Sequence, residues 1–105
     1  MGTRNGETKI KGLNMKYKEW DCAVELTHYT NNGQPAILLN DIDDGTPIAK
    51  ATTCIDYDFQ ENETAIKSWS ENEGMLAALI TGGLVSDTGK RVPCGFVEAA
   101  IVKIL

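Results

Sequence analysis

The sequence predicts a single α+β domain, in which a twisted, mostly antiparallel sheet of about five strands carries one main helix on one face. Three features support this fold class: alternating apolar and polar residues near the start, one helical segment with clear ends, and a closing apolar run. A chain of 105 residues corresponds to one domain. Its 42% hydrophobic and 24% charged residues are typical of a globular protein.

A β-hairpin is predicted at the front of the domain. Residues 17–29 have the period-two alternation of a half-buried strand. Residues 31–33, Asn-Asn-Gly, form a turn, because Asn and Gly accept positive φ at little cost. Residues 35–40 then resume an extended run. One face of the first strand carries Trp20, Cys22, Val24, Leu26 and His28.

A third strand and an acidic loop follow the hairpin. Residues 41–45, rich in Asp and ending in Gly, predict a turn, and residues 47–55 predict a strand rich in Thr and Ile. Residues 56–63 (DYDFQENE) predict a loop because of their acidic composition. Residues 64–69 predict a short extended piece that leads into the helix.

The helix is predicted over residues 70–81. Ser70 has the chemistry of an N-cap, and Glu73 three residues later completes a capping box. Gly82 and Gly83 predict the end of the helix through a left-handed C-cap. The apolar stripe expected to pack on the sheet consists of Met75, Leu76, Leu79 and Ile80.

The last segment predicts a turn and a closing strand. Residues 84–85 are briefly extended, and residues 86–90 predict a turn with Gly89 as its pivot. Residues 96–105 (FVEAAIVKIL) predict a final strand with few polar residues. Such a strand is usually central in its sheet or covered on both faces.

Charge is distributed unevenly along the chain. Residues 1–18 carry a net charge of +4, whereas residues 19–105 carry −9. Residues 1–15, which contain three glycines and little apolar content, are predicted to form a flexible basic leader, and residues 16–105 a single acidic domain. An acidic domain repels nucleic acid and favours basic partners, whereas the leader is able to contact phosphate.

The cysteine and histidine content argues against thiol or zinc chemistry. The three cysteines, Cys22, Cys54 and Cys94, have no CxxC spacing, and His28 is the one histidine. A structural zinc site takes four such ligands, so all of them would be needed. On one strand, Cys22 and His28 lie about 20 Å apart, too far for a nucleophile and its base. We therefore predict buried free thiols, no cofactor and no enzymatic activity.

Neither of two binding motifs is complete in the acidic and glycine-rich segments. Asp41, Asp43 and Asp44 resemble the start of a calcium loop, but positions five and twelve are Gly45 and Thr52. An EF-hand needs an oxygen ligand at position five and Glu at position twelve. No GxxxxGK[ST] phosphate motif is present either. A hairpin turn with exposed acids is the expectation here.

The acidic segments instead predict a protein-contact surface. Tyr57 and Phe59 are interleaved with acidic residues. Protein-binding sites often have this composition, with aromatic anchor residues surrounded by a polar rim. In the alternative interpretation, the loop packs these aromatics on its own domain. The predicted contact residues are Asp41, Asp43, Asp44, Asp56, Tyr57, Asp58, Phe59, Glu61 and Glu63.

Three segments of the chain carry a resemblance to a known family. Residues 17–22 (YKEWDC), 70–76 (SENEGML) and 92–97 (VPCGFV) are arranged as in a family of small uncharacterised proteins from phages and conjugative elements of gut bacteria. In that family the second segment precedes a helix and the third precedes the last strand. The resemblance implies a mobile-element setting and transfers no functional residue.

Together, these features predict a non-enzymatic protein-binding accessory factor of a phage or mobile element, acting in the bacterial cytoplasm. Its expected partner is a host protein with a basic surface. In the most specific form of this prediction, the protein inhibits a host defence nuclease, as an anti-CRISPR protein does. No membrane contact is expected. The alternatives are a nucleic-acid-associated factor that uses the leader, a small structural domain, and a small hydrolase or metal protein.

Overall fold

The computed structural model describes residues 14–105. Predictions on residues 1–13 of the leader therefore lie outside the described residues, whereas Asn14 and Met15 belong to the first strand. No helix of the described chain is long and apolar enough to cross a membrane. The elements are β1 (Asn14–Tyr17), β2 (Trp20–His28), β3 (Pro35–Asp41), β4 (Pro47–Lys50), β5 (Glu63–Ile66), a 3₁₀ turn (Ser70–Asn72), α1 (Met75–Thr81), β6 (Val85–Cys94) and β7 (Val97–Ile104).

The described chain forms two antiparallel sheets, with strand orders β1-β2-β3-β4 and β5-β7-β6. The mostly antiparallel α+β class is confirmed, but the single sheet of about five strands is wrong. The cause lies in the predicted third strand, which pairs with β3 only as far as Lys50. The chain then leaves that sheet, and Thr52 forms an isolated bridge with Ile66 of the second sheet.

The predicted hairpin is confirmed as β2 and β3. Its register pairs Thr27 with Ala36, and the turn contains Gly33 at a φ of +74°. The Tyr29 amide closes the turn by donating to the Gln34 carbonyl at 2.9 Å. The turn residues and the alternation of the strands both favour a hairpin at this place, so the local sequence is sufficient to predict it.

The predicted start of the helix is wrong, because α1 contains only seven residues. Gly74 precedes it at a φ of +86°, a left-handed conformation that interrupts any helix running through it. Ser70 lies in the 3₁₀ turn, and its carbonyl rather than its hydroxyl accepts from the Glu73 amide, at 3.1 Å. The hydroxyl of Ser68 instead accepts from the Leu76 amide at 3.1 Å.

The predicted end of the helix is confirmed. Gly83 has a φ of +76°, and its amide donates to the Ile80 carbonyl at 3.0 Å while Leu84 donates to Leu79 at 3.1 Å. This pair of bonds is a Schellman motif. The apolar stripe is narrower than predicted, because Met75 and Leu79 are buried but Ile80 is 43% exposed.

The predicted turn around Gly89 does not reverse the chain. Gly89 has the expected positive φ of +87°, but it lies in a bulge within β6, where the pairing with β7 shifts between Asp87 and Arg91. The Thr88 hydroxyl donates to the Ile101 carbonyl at 2.6 Å, so the bulged segment stays attached to β7. Turn residues therefore mark a bulge as well as a hairpin.

Two apolar clusters hold the fold together. The main core lies between the four-stranded sheet, α1 and one face of the three-stranded sheet. The second core is on the other face of that smaller sheet, where Ala65, Ala99 and Ile101 are fully buried. The central position predicted for the closing strand is confirmed, since β7 lies between β5 and β6. The second core is covered by Ile55, Tyr57, Phe59, Trp69 and Val92.

Substitution of Leu79 by Ala should lower the free energy of unfolding by about 2–5 kcal/mol, because this side chain is fully buried in the main core. Ile80→Ala on the same short helix is the matched control and should cost less than about 1 kcal/mol, since Ile80 is largely exposed. Urea denaturation of the two variants measures both values. An equal loss at the two positions would contradict the observed orientation of α1.

Candidate functional site

A cleft of about 410 Å³ lies between the β2–β3 turn and the loop that joins β4 to β5. We call it the acidic cleft. Five of the predicted contact residues line it: Asp56, Tyr57, Phe59, Glu61 and Glu63. The other lining residues are His28, Asn32, Gly33, Gln34, Pro35, Gln60 and Asn62.

The side chain of Gln34 joins the two walls of the acidic cleft. It is 3% exposed, and its amide nitrogen donates to the Thr53 carbonyl at 2.8 Å and to the Thr64 hydroxyl at 3.0 Å. Its amide oxygen accepts from the Ile55 amide at 3.1 Å. Asn32 adds a bond from its own amide to the Ile55 carbonyl at 3.1 Å. The loop is therefore held against the hairpin turn by buried, satisfied polar groups.

Tyr57 and Phe59 pack the loop onto the second core. Their rings form an edge-to-face pair with centroids 4.9 Å apart, and both are half-buried against the second core. This packing corresponds to the alternative in which the loop covers its own domain with its aromatic residues. The rings form part of the cleft wall, and Asp58 between them is exposed.

Glu63 differs from the other acidic residues of the segment. It is 5% exposed, it accepts from the Gln60 amide at 2.8 Å, and it forms an ion pair with Lys90 at 3.1 Å. The Gln60 amide, together with the Lys90 ammonium, lowers the pKa of the Glu63 carboxyl. The Lys90 ammonium also lies 5.9 Å from the Tyr57 ring centroid. Glu63 therefore stabilises the loop, and its carboxylate is already paired.

Asp56, Asp58 and Glu61 are the exposed acids of the loop. Asp56 and Glu61 line the acidic cleft, whereas Asp58 lies in the same loop outside the lining. None of the three forms an ion pair within the described residues. The Lys90 ammonium contacts the lining residue Glu63, so the unpaired negative charge of the cleft comes from Asp56 and Glu61.

The remaining predicted contacts, Asp41, Asp43 and Asp44, lie at the opposite end of the sheet. The register pairs Cys22 with Asp41 but His28 with Pro35, so β3 separates the two ends by about 20 Å. The structure therefore brings the predicted acidic residues together as two patches. One patch is the acidic cleft with Asp58, and the other is the turn after β3.

In the turn after β3, the carboxylates are engaged by the backbone. The Asp43 amide donates to the Asp41 carboxylate at 2.8 Å, and the Thr46 amide donates to Asp44 at 2.9 Å. The hydroxyl and amide of Thr46 lower the pKa of the Asp44 carboxyl. Gly45, at a φ of +77°, completes the reversal. These are the Asx bonds of an ordinary tight turn.

The cysteines are free and occupy different environments. Cys22 is buried in the main core, whereas Cys54 and Cys94 are only half-buried, so the prediction of three buried thiols is correct for one of them. Burial raises the pKa of the Cys22 thiol. Within residues 14–105, no three side chains of the metal-binding types lie close enough to hold an ion.

No protein-family model, curated protein or solved structure matches this chain. No residue role can therefore be transferred from a relative. The resemblance to proteins of phages and conjugative elements remains a prediction.

Sequence reasoning missed Gln34 as a site residue, and its replacement tests how the cleft is built. Gln34→Ala should lower the free energy of unfolding by about 1–3 kcal/mol, because it leaves buried partners without hydrogen bonds. Gln60→Ala, at an exposed position of the same cleft, should change it by less than about 0.5 kcal/mol. Chemical denaturation measures both. An unchanged free energy of unfolding in Gln34→Ala would show that the Gln34 hydrogen bonds do not hold the loop.

The paired Glu63 predicts a specific pH dependence of stability. Because its pKa is lowered by folding, its contribution is present above the unfolded value of about 4.3 and is lost as the pH falls through the folded value. The stability difference between wild type and Glu63→Gln should therefore be largest near neutral pH and shrink in acid. Unfolding curves from pH 7 to pH 3 measure it. Glu61→Gln is the control, and a constant difference for Glu63→Gln would contradict the prediction.

Proposed function

We propose that the protein is a non-enzymatic binding factor of a phage or mobile element that captures a basic segment of a host protein in the acidic cleft. The observation that carries this proposal is the combination of a preformed cleft, exposed carboxylates at Asp56 and Glu61, and a lining without Lys or Arg. Carboxylates in a concave surface attract Lys and Arg side chains, since field lines concentrate in such clefts.

The construction of the acidic cleft favours binding of a protein segment. The loop wall is fixed by the Gln34 bonds and by the Tyr57–Phe59 pair, so little conformational freedom is lost when a partner docks. A volume of about 410 Å³ accommodates one or two long basic side chains. Aromatic surface beside the carboxylates adds apolar contact for the methylene stems of Lys and Arg.

The host partner is proposed to be a defence nuclease. Residues 19–105 carry a net charge of −9, which steers the domain toward positive surfaces. The nucleic-acid-contacting face of a nuclease is such a surface, and its occupation blocks substrate. The family resemblance implies that the protein comes from a phage or mobile element. Such an element benefits from an inhibitor of host defence nucleases, such as an anti-CRISPR protein. Capture by charge should weaken as salt rises.

The nucleic-acid alternative rests on the basic leader. Residues 1–18 carry a net charge of +4, but Met15 and Tyr17 are buried in the main core. A deletion that tests the leader must therefore stop at residue 13. If the leader binds nucleic acid, this deletion removes binding, and it leaves nuclease capture unchanged if the acidic cleft is the contact surface.

The test is an inhibition assay with a panel of purified bacterial defence nucleases, including CRISPR effectors. Asp56→Lys/Glu61→Lys should weaken inhibition by about tenfold or more, because electrostatic steering alone changes association rates by about 10- to 10³-fold. Glu19→Lys/Glu98→Lys is the matched control, since it changes the net charge equally at exposed positions outside the cleft. Asp43→Lys reports separately on the turn after β3.

Three results would contradict the proposal. They are no inhibition of any nuclease in the panel, equal losses for the cleft variant and its control, and unchanged inhibition after charge reversal in the cleft. Thermal unfolding of each variant shows that a loss does not come from misfolding. A loss of inhibition confined to Asp43→Lys would show that the contact surface is the turn after β3, at the opposite end of the sheet.

A further inference from the structure

A second concave site carries charge of the opposite sign. It has a volume of about 460 Å³ and lies where the chain crosses from the first sheet to the second. We call it the lysine pocket. It shares no lining residue with the acidic cleft, and none of its lining residues is acidic. The lining consists of Tyr29, Lys50, Thr52, Thr53, Cys54 and Lys67.

The two lysines are brought together by a buried side chain. Asn72 is 2% exposed, and its amide donates to the carbonyl of Lys50 at 2.7 Å and to that of Lys67 at 3.2 Å. The Lys67 amide also donates to the Ala51 carbonyl at 2.9 Å. The backbones of both lysines are therefore fixed side by side, although the residues are 17 positions apart in the chain.

Neither ammonium group is strongly neutralised. The Lys50 ammonium lies 5.4 Å from the centroid of the Tyr29 ring, and no ion pair among the described residues includes it. The Lys67 ammonium contacts Glu71 at 2.7 Å, but the Glu71 side chain is 69% exposed. Such exposed pairs contribute little energy, so an incoming anion is able to compete with Glu71.

We propose that the lysine pocket binds the phosphoryl group of a small phosphorylated ligand. Lysine is a common point-charge partner for phosphate, and two ammonium groups in one concavity match its double negative charge. The hydroxyl-bearing Thr53 adds a donor at the pocket wall. The volume falls within the range of small-molecule sites and exceeds that of phosphate alone, which leaves room for an attached organic group. This inference is independent of the proposed function.

The test is an amide NMR titration of the full chain in low-salt, phosphate-free buffer, with inorganic phosphate and with adenosine monophosphate as separate probes. Saturable shifts are expected for Thr53, Cys54 and Lys67. Lys50→Gln should weaken binding by about tenfold or more, as expected for loss of a charged hydrogen bond. Glu71→Gln should strengthen binding, because it releases Lys67 from its carboxylate. A merely structural role of Glu71 would not produce this gain.

Lys16→Gln is the matched control, since it also removes one exposed positive charge, at a residue paired with Asp21 outside the pocket. It should leave the affinity within about twofold of wild type. Tighter binding of the nucleotide than of phosphate would show that the organic group also contacts the pocket, and equal affinities would restrict recognition to the phosphoryl group. The proposal is overturned by a lack of saturable shifts with both probes, or by equal effects of Lys16→Gln and Lys50→Gln.

Discussion

Strand β7 has to be covered on both of its faces, because successive residues point to opposite sides and the run from Ala99 to Val102 is buried throughout. Ala100 and Val102 face the main core, whereas Ala99 and Ile101 face the second core. Neither α1 nor the four-stranded sheet is available for that second face. The segment between β4 and β5 therefore has to cross it and cover it with its own apolar side chains.

This crossing segment creates both candidate sites. An irregular segment over a sheet brings backbone polar groups into partly buried surroundings, where they need partners. Gln34 supplies bonds on one side of the crossing and Asn72 on the other. The acidic cleft forms beside Gln34, and the lysine pocket forms where Asn72 joins Lys50 to Lys67. The two sites are thus consequences of how one segment is anchored.

The two sites also show how net charge conceals local charge. The domain is acidic overall, yet the crossing segment separates a concavity lined by carboxylates from one lined by ammonium groups. Within the acidic segment, Glu63 is paired beneath the loop while Asp56 and Glu61 remain outside it. Whether an acidic residue stabilises the fold or faces a partner depends on its depth, which composition does not record.

Local sequence patterns predict the features that depend on neighbouring residues: the β2–β3 hairpin, the end of α1 at Gly83 and the burial of β7. Alternation, turn chemistry and apolar runs act over a few residues, so they are legible without tertiary contacts. The division into two sheets, the late start of α1 after Gly74 and the separation of the acidic residues into two patches are visible in the folded chain alone. The hydrogen-bond partners of Gln34 and Asn72 lie in other segments of the chain. Hydrogen bonds between separate segments leave no pattern in the neighbouring sequence, so the sequence does not predict them.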